Sequence, residues 1–469
     1  MSCKNCKSSK LKKVINIGKQ PISSHFYSNK KTNLRNYSLD LYECLHCKLI
    51  QLKDIAKLKD MYGLNYGYRT SLSPLMMGHM KRKVKKIFTQ NFLKKKGFNP
   101  IGWDDNLDIR RKAKKKGIKI ENFKNINKKN ISHLVVSPGI HSSGPSRHTL
   151  IKKANLAGIK IINDIELFFQ FYPNSNCIGV TGTNGKSTTV SLLHHVFNKI
   201  KIRNSLGGNI GKPIFSIKNP GDGFYILEIS SFQLELIKSA RFKIGIILNI
   251  TKDHIDRHGS FRQYVLEKIK IYNNQQKSDL SILGIDDEVS QKILNKIKKK
   301  NISKVVTISS HYKTSDIYVK NNYLYIKNIF KNKKKIFKKI NLRQFENIKG
   351  RQNYQNIAAV YAVLIKIGFF DWNKIETALK SFVGLPHRLQ TIREINKISY
   401  INDSKATNLD STDKALSSYK KIYWILGGRL KEKNLSILKK HFFKIEHVFL
   451  LGESKKIYEN YLKKYVSCT

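Results

Sequence analysis

The segment Cys177-Ile178-Gly179-Val180, running into Thr181-Gly182-Thr183-Asn184-Gly185-Lys186-Ser187-Thr188-Thr189, constrains the fold more than any other stretch of the chain. The short apolar run predicts a buried strand of a parallel sheet. The glycines predict a tight loop whose backbone N–H groups can wrap a phosphate, and the residues after it predict a helix whose N-terminus adds favourable partial charge. Lys186 can then reach β- and γ-phosphates, and the Ser187 hydroxyl can ligate magnesium. The strict phosphate-loop pattern would have glycine where this chain has Val180, so a generic glycine turn is the plain alternative. Gly-Lys-Ser-Thr directly after a buried strand speaks against it.

The surrounding sequence keeps an α/β rhythm. Ile101-Gly102-Trp103 into Asp104-Asp105 and His133-Leu134-Val135-Val136 into Ser137-Pro138-Gly139 read as strands that end in ligand-type turns. A helix over Ser146–Leu156 and a strand over Ile159–Ile162 follow. Phe224–Leu227 leads into Glu228, Ile244–Leu248 into Asn249, and Asn356–Gly368 reads as a helix. Residues 312–346 are lysine-rich with weak alternation and read as a surface hairpin without functional information. Leu385-Pro386-His387-Arg388 marks a boundary, after which a last α/β unit includes Ile422–Gly428 and Val448–Gly452.

The length of 469 residues allows roughly three domains. No run of about 18 uncharged apolar residues occurs, which excludes a spanning helix, and the N-terminus lacks the apolar stretch of a signal peptide. A soluble, cytoplasmic protein is the expectation. The 89 Lys+Arg against 32 Asp+Glu give a net charge of +57, which would suit a polyanion partner. The lysines are dispersed, however, and no stacking or groove-reading motif accompanies them. The expectation is a lysine-biased surface, with no nucleic acid and no membrane as partner.

Four of the six cysteines form two CxxC pairs, Cys3/Cys6 and Cys44/Cys47. In an intracellular chain such pairs more often hold a metal than a disulfide. Two tight turns can close a tetrahedral four-thiolate site, which leaves no open position, so the expected zinc is structural. Four unligated thiols are the alternative. Cys177 and Cys468 read as ordinary thiols.

This stretch resembles a known module. Cys3-x-x-Cys6, Gly18-Lys19-Gln20-Pro21, Leu39–Cys44-x-x-Cys47, Tyr66–Ser71 and His79 are similar to the zinc-binding domain that heads a family of sugar C-methyltransferases. The likeness covers about the first 85 residues, and the methyl-donor-binding domain of that family does not follow.

From residue 179 to 431 the chain resembles the Mur ligases, the ATP-dependent amide-forming enzymes of peptidoglycan precursor synthesis, and among them the D-glutamate-adding members. The likeness rests on Thr181–Thr188, Gly208-Asn209-Ile210-Gly211, Glu228–Glu235, Asp253–His258, Gly350-Arg351-Gln352-Asn353-Tyr354-x-Asn356 and Asn402–Asn408. Ser137-Pro138-Gly139 and Asp164–Leu167 extend it upstream. The architecture it implies is α/β and multi-domain. It comprises a zinc-binding domain over 1–85, a partial Rossmann-like UDP-substrate domain over 86–174, a central phosphate-loop ATPase domain over 175–384, and a truncated Rossmann-like domain over 385–469.

The resemblance also implies chemistry. ATP phosphorylates the carboxylate of UDP-MurNAc-L-Ala, and the amine of D-glutamate displaces the phosphate. Lys186 supplies a cation near the γ-phosphate; Gly182, Thr183, Asn184, Gly185, Ser187 and Thr188 complete the phosphate loop. Ser187 and Glu228 hold one Mg2+ and His254 a second, served by Lys268 as the family's carbamylated lysine. Carbamylation needs the free amine, so burial or neighbouring cations must lower its pKa. Asn353 and Asn356 contact the adenine nucleotide. Arg388, Asp403, Lys405 and Thr407 close over ATP and the incoming amino acid, and Lys431 meets the D-glutamate carboxylate. Asn209 touches the sugar-peptide substrate, Asp104 and Asp105 the uridine, and Ser137, Pro138 and Gly139 support the nucleotide. Arg257 and His258 read as structural. The expected assembly is a monomer.

Two departures stand against the family pattern. The first strand and glycine loop that cradle the UDP diphosphate are missing between Met80–Lys83 and the helix-like Phe92-Leu93, and the last domain stops at Thr469, about a third short. A catalytically impaired fusion binding only ATP and zinc is therefore the alternative function. Another amide ligase of the superfamily is a further one, although the Asp-Asn-Pro-Arg motif of the diaminopimelate-adding enzyme is absent.

Overall fold

In the computed structural model the chain forms two compact units, Met1–Val84 and Lys85–Thr469. The described residues are 2–3, 5–6, 8–21, 36–47, 49–52, 88–122, 131–142, 147–300, 302–331, 334–348, 350–406, 408–428 and 435–469.

In the first unit, β1 (Leu11–Pro21), β2 (Asn36–Cys44) and β3 (Ile50–Leu52) form an antiparallel sheet in the order β1-β2-β3. The register pairs Leu11 with Cys44, so the start of β1 lies beside the end of β2. Both CxxC segments are tight turns: Cys3 N–H donates to Ser8 O and Cys44 N–H to Leu49 O.

The second unit begins with the helix Phe88–Lys95, in agreement with the helical reading of Phe92-Leu93. The expected strand at Ile101–Trp103 is instead a single bridge between Gly102 and Ile120. Asp104 Oδ1 accepts the Asn106 N–H and Asn106 caps the helix Leu107–Lys114, so side-chain bonds turn the chain into a helix directly after Trp103 and the extended stretch stays short. Next, β4 (His133–Val136) and β5 (Lys160–Asn163) pair in parallel across the helix Thr149–Leu156. Glu166, on the helix Asp164–Phe171, is buried and accepts N–H bonds from Lys238, Ser239 and Ala240, which accounts for a carboxylate inside the core.

The main body is a nine-stranded sheet built from β6 (Cys177–Thr181), β7 (Asn204–Gly208), β8 (Phe224–Glu228), β9 (Ile244–Ile247), β10 (Leu280–Gly284), β11 (Lys304–Ser309), β12 (Ile317–Lys320), β13 (Tyr323–Lys331) and β14 (Lys334–Asn341). Its order is β14-β13-β12-β11-β10-β9-β6-β8-β7. All pairings from β7 to β12 are parallel; β13 and β14 add on antiparallel. Every residue of β6, β9 and β10 is buried, as a strand covered on both faces requires.

Successive side chains of β6 feed two cores. Ile178 and Val180 join Leu192, Val196, Ile357 and Leu364 on one face, while Cys177 joins Phe168, Leu234 and Tyr264 on the other. The chain leaves β6 toward β7 and β8 on one side and then crosses to β9–β12 on the other. The C-terminal end of β6 is thus a topological switch point, where α/β sheets open a crevice.

The lysine-rich hairpin is present over Tyr323–Asn341, but it is more than a surface feature. Leu324, Ile326 and Ile340 are buried in the first core and extend the main sheet, while lysines occupy intervening positions. Beyond it come the antiparallel pair β15 (Gln390–Ile395) and β16 (Ile398–Asn402), and the parallel pair β17 (Ile422–Gly427) and β18 (Ile445–Leu451), which packs one face on a third core.

Gly284 ends β10 against the crevice. A Cβ there would lie 1.9 Å from Leu248 O and 2.3 Å from Gln355 Nε2. Gly284→Ala is expected to lower stability by about 1–3 kcal/mol, read as a reduced melting temperature; an unchanged melt would show that the β9–β10 backbone yields freely.

Candidate active site

The loop after β6 is shaped by glycines and locked by asparagines. Gly182 has φ 151° and Gly185 φ 85°, and a Cβ on Gly185 would stand 2.5 Å from Asn356 Oδ1. Asn249, at the end of β9, accepts the Asn184 N–H at 2.9 Å and donates to Asn184 O at 3.2 Å. Thr183 N–H donates to Asn249 O. Gly185 caps the helix Lys186–Lys199 without a side-chain bond, so the helix N-terminus keeps its donors for a ligand.

Lys186 is curled over this loop, its Nζ donating to Gly182 O and Thr183 O, each at 2.7 Å. Lys268 approaches from the helix Phe261–Ile269; it is 1% exposed and donates to Gly182 O at 2.9 Å and Thr181 Oγ1 at 3.3 Å. Burial lowers both amines' pKa values, and the Lys186 charge presses Lys268 well below the usual lysine range. Glu228 and Asp253 partly offset this. Glu228, at the end of β8, is buried; its Oε1 accepts Asn209 Nδ2 at 2.9 Å, and its Oε2 has no hydrogen-bond partner among the described residues. A buried carboxylate oxygen left open beside a phosphate loop and the buried Ser187 hydroxyl suits a hard divalent cation.

His254 holds a left-handed conformation (φ 53°), caps the helix Ile255–His258 and stands 3.5 Å from Asp253 Oδ2. Its ring meets Phe232 edge-on at 4.9 Å. The Arg257 guanidinium carbon lies 3.7 Å from the centre of the same Phe232 ring, and the side chain donates to Ile140 O, tying the turn after Ser137-Pro138-Gly139 to the His254 helix. His258 is buried, bonds Ser231 Oγ and is pushed down to about 4 by burial, in keeping with a structural role.

Asn356 is buried; it accepts Thr189 Oγ1 and donates to Asn353 Oδ1, so both asparagines pack against the loop helix. The charge of Arg388 reaches Lys186 and Asp403. Asp403 accepts the Leu389 N–H at 3.0 Å, and Lys405 N–H donates to His387 O. Burial raises the Asp403 pKa. Asp104 and Asp105 are engaged locally, Asp105 with His148 Nε2 at 2.9 Å, and no hydrogen bond joins them to the phosphate loop among the described residues. Thr188 is half-buried on the first turn of the loop helix. Thr407 and Lys431 lie outside the described residues.

Several participants carried no sequence-based assignment. In the sequence Asn249 reads only as a polar strand end, Asp253 only as a letter of the Asp253–His258 motif, and Tyr264 only as the residue four before Lys268 in Tyr264-x-x-x-Lys268. Ser411 had no signal at all. Its Oγ donates to Asn184 Oδ1 at 2.8 Å, and Asn408, the cap of the helix Leu409–Ser417, reaches the same oxygen at 3.4 Å.

In the first unit, the four sulfurs of Cys3, Cys6, Cys44 and Cys47 lie within 4.8 Å of one another, Cys3–Cys47 and Cys6–Cys44 at 3.5 Å. Zn–S bonds of about 2.3 Å place tetrahedral sulfurs about 3.8 Å apart, so the donor set fits zinc. The Leu49 N–H holds the Cys47 thiol down to about 6. Cys6, despite the Ser8 N–H that favours its thiolate, is pushed up to about 12 by burial and the other sulfurs.

Comparison with known proteins agrees with this geometry. The family description "Mur ligase middle domain" matches residues 180–364, and "Putative zinc binding domain" matches residues 3–62. The second unit has the fold of a Mur ligase. The UDP-N-acetylmuramate-alanine ligase MurC of Thermotoga maritima superposes with a TM-score of 0.52 at 19% identity, over 82% of this chain and 88% of that one. The UDP-N-acetylmuramoylalanine–D-glutamate ligase of Paramagnetospirillum magneticum is 36% identical over 363 residues, 77% of this chain and 78% of the relative. The enzyme of the same name from Rickettsia prowazekii is 36% identical over 336 residues, 72% of each. The chain belongs to the UDP-N-acetylmuramoylalanine–D-glutamate ligase family.

No helix among the described residues is long and apolar enough to cross a membrane.

The Lys268 environment fixes a sign for pH dependence. The unfolded chain keeps this proton up to about pH 10.4; the folded chain releases it at lower pH. Between those values the unfolded state binds more protons, so this group's contribution to stability rises with pH and is least favourable below the folded pKa. In CO2-free buffer, the stability of Lys268→Met relative to the parent should therefore improve as pH falls from about 10 toward neutrality. A difference independent of pH would contradict the burial of a titrating amine.

Proposed function

We propose that this chain joins D-glutamate to UDP-N-acetylmuramoyl-L-alanine at the expense of ATP, in the cytoplasmic stage of peptidoglycan precursor synthesis. The observation that carries the reading is the convergence on one phosphate loop of Lys186, Lys268 and Glu228, whose Oε2 has no hydrogen bond among the described residues, in a chain of this family. In this reading residues 86–174 receive the uridine nucleotide, 175–384 bind ATP, and 385–469 bring in the amino acid.

The substrate carboxylate oxygen attacks the γ-phosphorus and ADP leaves. The D-glutamate nitrogen then attacks the acyl carbon, phosphate departs and the amine gives up a proton. Lys186 exchanges its loop carbonyls for phosphate oxygens, and the helix N-terminus behind it holds the transferring group in line. Ser187 and Glu228 would hold one magnesium, and His254 with Lys268 as its carbamate a second. Bound magnesium supplies charge neutralisation where negative charge gathers. For carbamylation the Lys268 Nζ lone pair bonds the carbon of CO2 and one N–H proton leaves, which a low amine pKa favours. Asn353 and Asn356 offer paired amide bonds to adenine. Asn209, itself fixed by Glu228, faces the sugar-peptide. Asp104, Asp105 and Ser137-Pro138-Gly139 take the uridine end, while Arg388, Asp403, Lys405, Thr407 and Lys431 close over ATP and D-glutamate. The four thiolates would hold a structural zinc that stabilises the first unit.

Phosphate release from ATP should require both UDP-MurNAc-L-Ala and D-glutamate. ATP binding without dependent release would favour an impaired fusion. Lys268→Ala should abolish ligation and recover part of it with a small added carboxylate such as acetate; full activity without rescue removes the carbamate assignment.

Metal analysis should find about one zinc per chain, lost in Cys44→Ser together with the melting transition of the first unit. Zinc-free chain with an unaltered melt would refute the structural role.

A further inference from the structure

The helix Phe261–Ile269 carries two side chains, one turn apart on the same face, that reach the phosphate loop: Tyr264 and Lys268. Tyr264 is 1% exposed, so water does not compete for its hydroxyl. That hydroxyl lies 3.0 Å from Thr183 Oγ1. Thr183 Oγ1 also accepts the Thr251 N–H at 2.9 Å and stands 3.0 Å from Thr251 O. A threonine hydroxyl has one hydrogen and two lone pairs. All three contacts are satisfied together only when Thr183 donates to Thr251 O and accepts from both the Thr251 N–H and the Tyr264 O–H.

Lys268 is the second anchor. Its Nζ donates to Gly182 O and Thr181 Oγ1 and sits 4.7 Å from the centre of the Tyr264 ring. The two anchors respond differently to carbamylation. A free lysine amine carries two N–H bonds, three when protonated, and a carbamate nitrogen keeps one. At least one of the two loop bonds is then lost, and an anionic group takes the place of the amine that faced the ring. The phenol's bond involves no charge and is untouched by the change.

We propose that Tyr264 is a positioning residue for the ligation: its O–H, donated to Thr183 Oγ1, keeps the helix seated on the phosphate loop when Lys268 loosens its own hold to become a carbamate. This rests on the carbamate reading of Lys268 given above. Tyr264→Phe is the informative substitution, because it keeps the ring under Lys268 and leaves Thr183 still paired with Thr251, so no buried donor is orphaned.

In the full-length chain, Tyr264→Phe should lower kcat about tenfold, the loss of one well-placed hydrogen bond, with KM for D-glutamate and UDP-MurNAc-L-Ala within about twofold of the parent. Saturating bicarbonate should not restore the rate. The Kd for ADP with magnesium, measured by titration calorimetry without turnover, should rise about threefold as the loop loses its brace. A kcat and an ADP Kd both within about twofold of the parent would overturn the proposal, as would full recovery with bicarbonate. Should Tyr264→Phe fail to fold, Tyr264→Met removes the same hydroxyl while leaving the phosphate loop's own residues in place and is judged by the same ADP measurement. A parent chain without ligase activity would count against the reading of the reaction; the ADP titration then judges Tyr264 alone.

Discussion

Two lysine amines shielded from water beside a single loop define this molecule's central electrostatic problem. Lys186 and Lys268 repel each other, and desolvation disfavours the charge on both. Glu228 and Asp253 relieve part of the strain, while the carbonyls of Gly182 and Thr183 absorb hydrogens that the carboxylates cannot. A site with surplus positive charge and little water favours polyanions and divalent cations held by carboxylates, which is the combination a phosphorylating ligase handles. The long sheet exists to keep those groups in place: β6, β8 and β9 end at the same level and deliver the loop, Glu228 and Asn249 to one crevice.

What could be read from the sequence follows from how local each signal is. The phosphate loop was legible because glycine, lysine and serine in that order do their work within one turn of chain. The helix Phe88–Lys95 and the hairpin Tyr323–Asn341 were legible for the same reason. The hairpin's place in the core was not, because lysines between Leu324, Ile326 and Ile340 dilute the apolar alternation that marks a buried face. Ile101–Trp103 looked like a strand by composition, yet Asp104 and Asn106 redirect the following backbone into a helix cap.

Contacts between distant segments left the weakest trace. Asn249 and Asn184 are 65 residues apart in sequence, and Thr183 and Tyr264 are 81. Only folding reveals that a strand-end asparagine clasps the loop backbone and that a phenol braces its second residue. Ser411 is the extreme case, 227 residues from the oxygen it meets, with no pattern around it to advertise the contact. The family motifs marked neighbourhoods in sequence, while assigning partners within them needed the register of β6 against β8 and β9.

The resting posture of Lys186 bears on the thermodynamics of nucleotide capture. Its ammonium already satisfies two carbonyls, and the loop below is clasped by Asn249 and packed at Gly185 close against Asn356. An arriving triphosphate therefore finds a rigid receptor and swaps one set of acceptors for another instead of recruiting a slack segment. Affinity becomes the difference between two competing sets of bonds, and selectivity resides in how poorly a lesser anion wins that exchange.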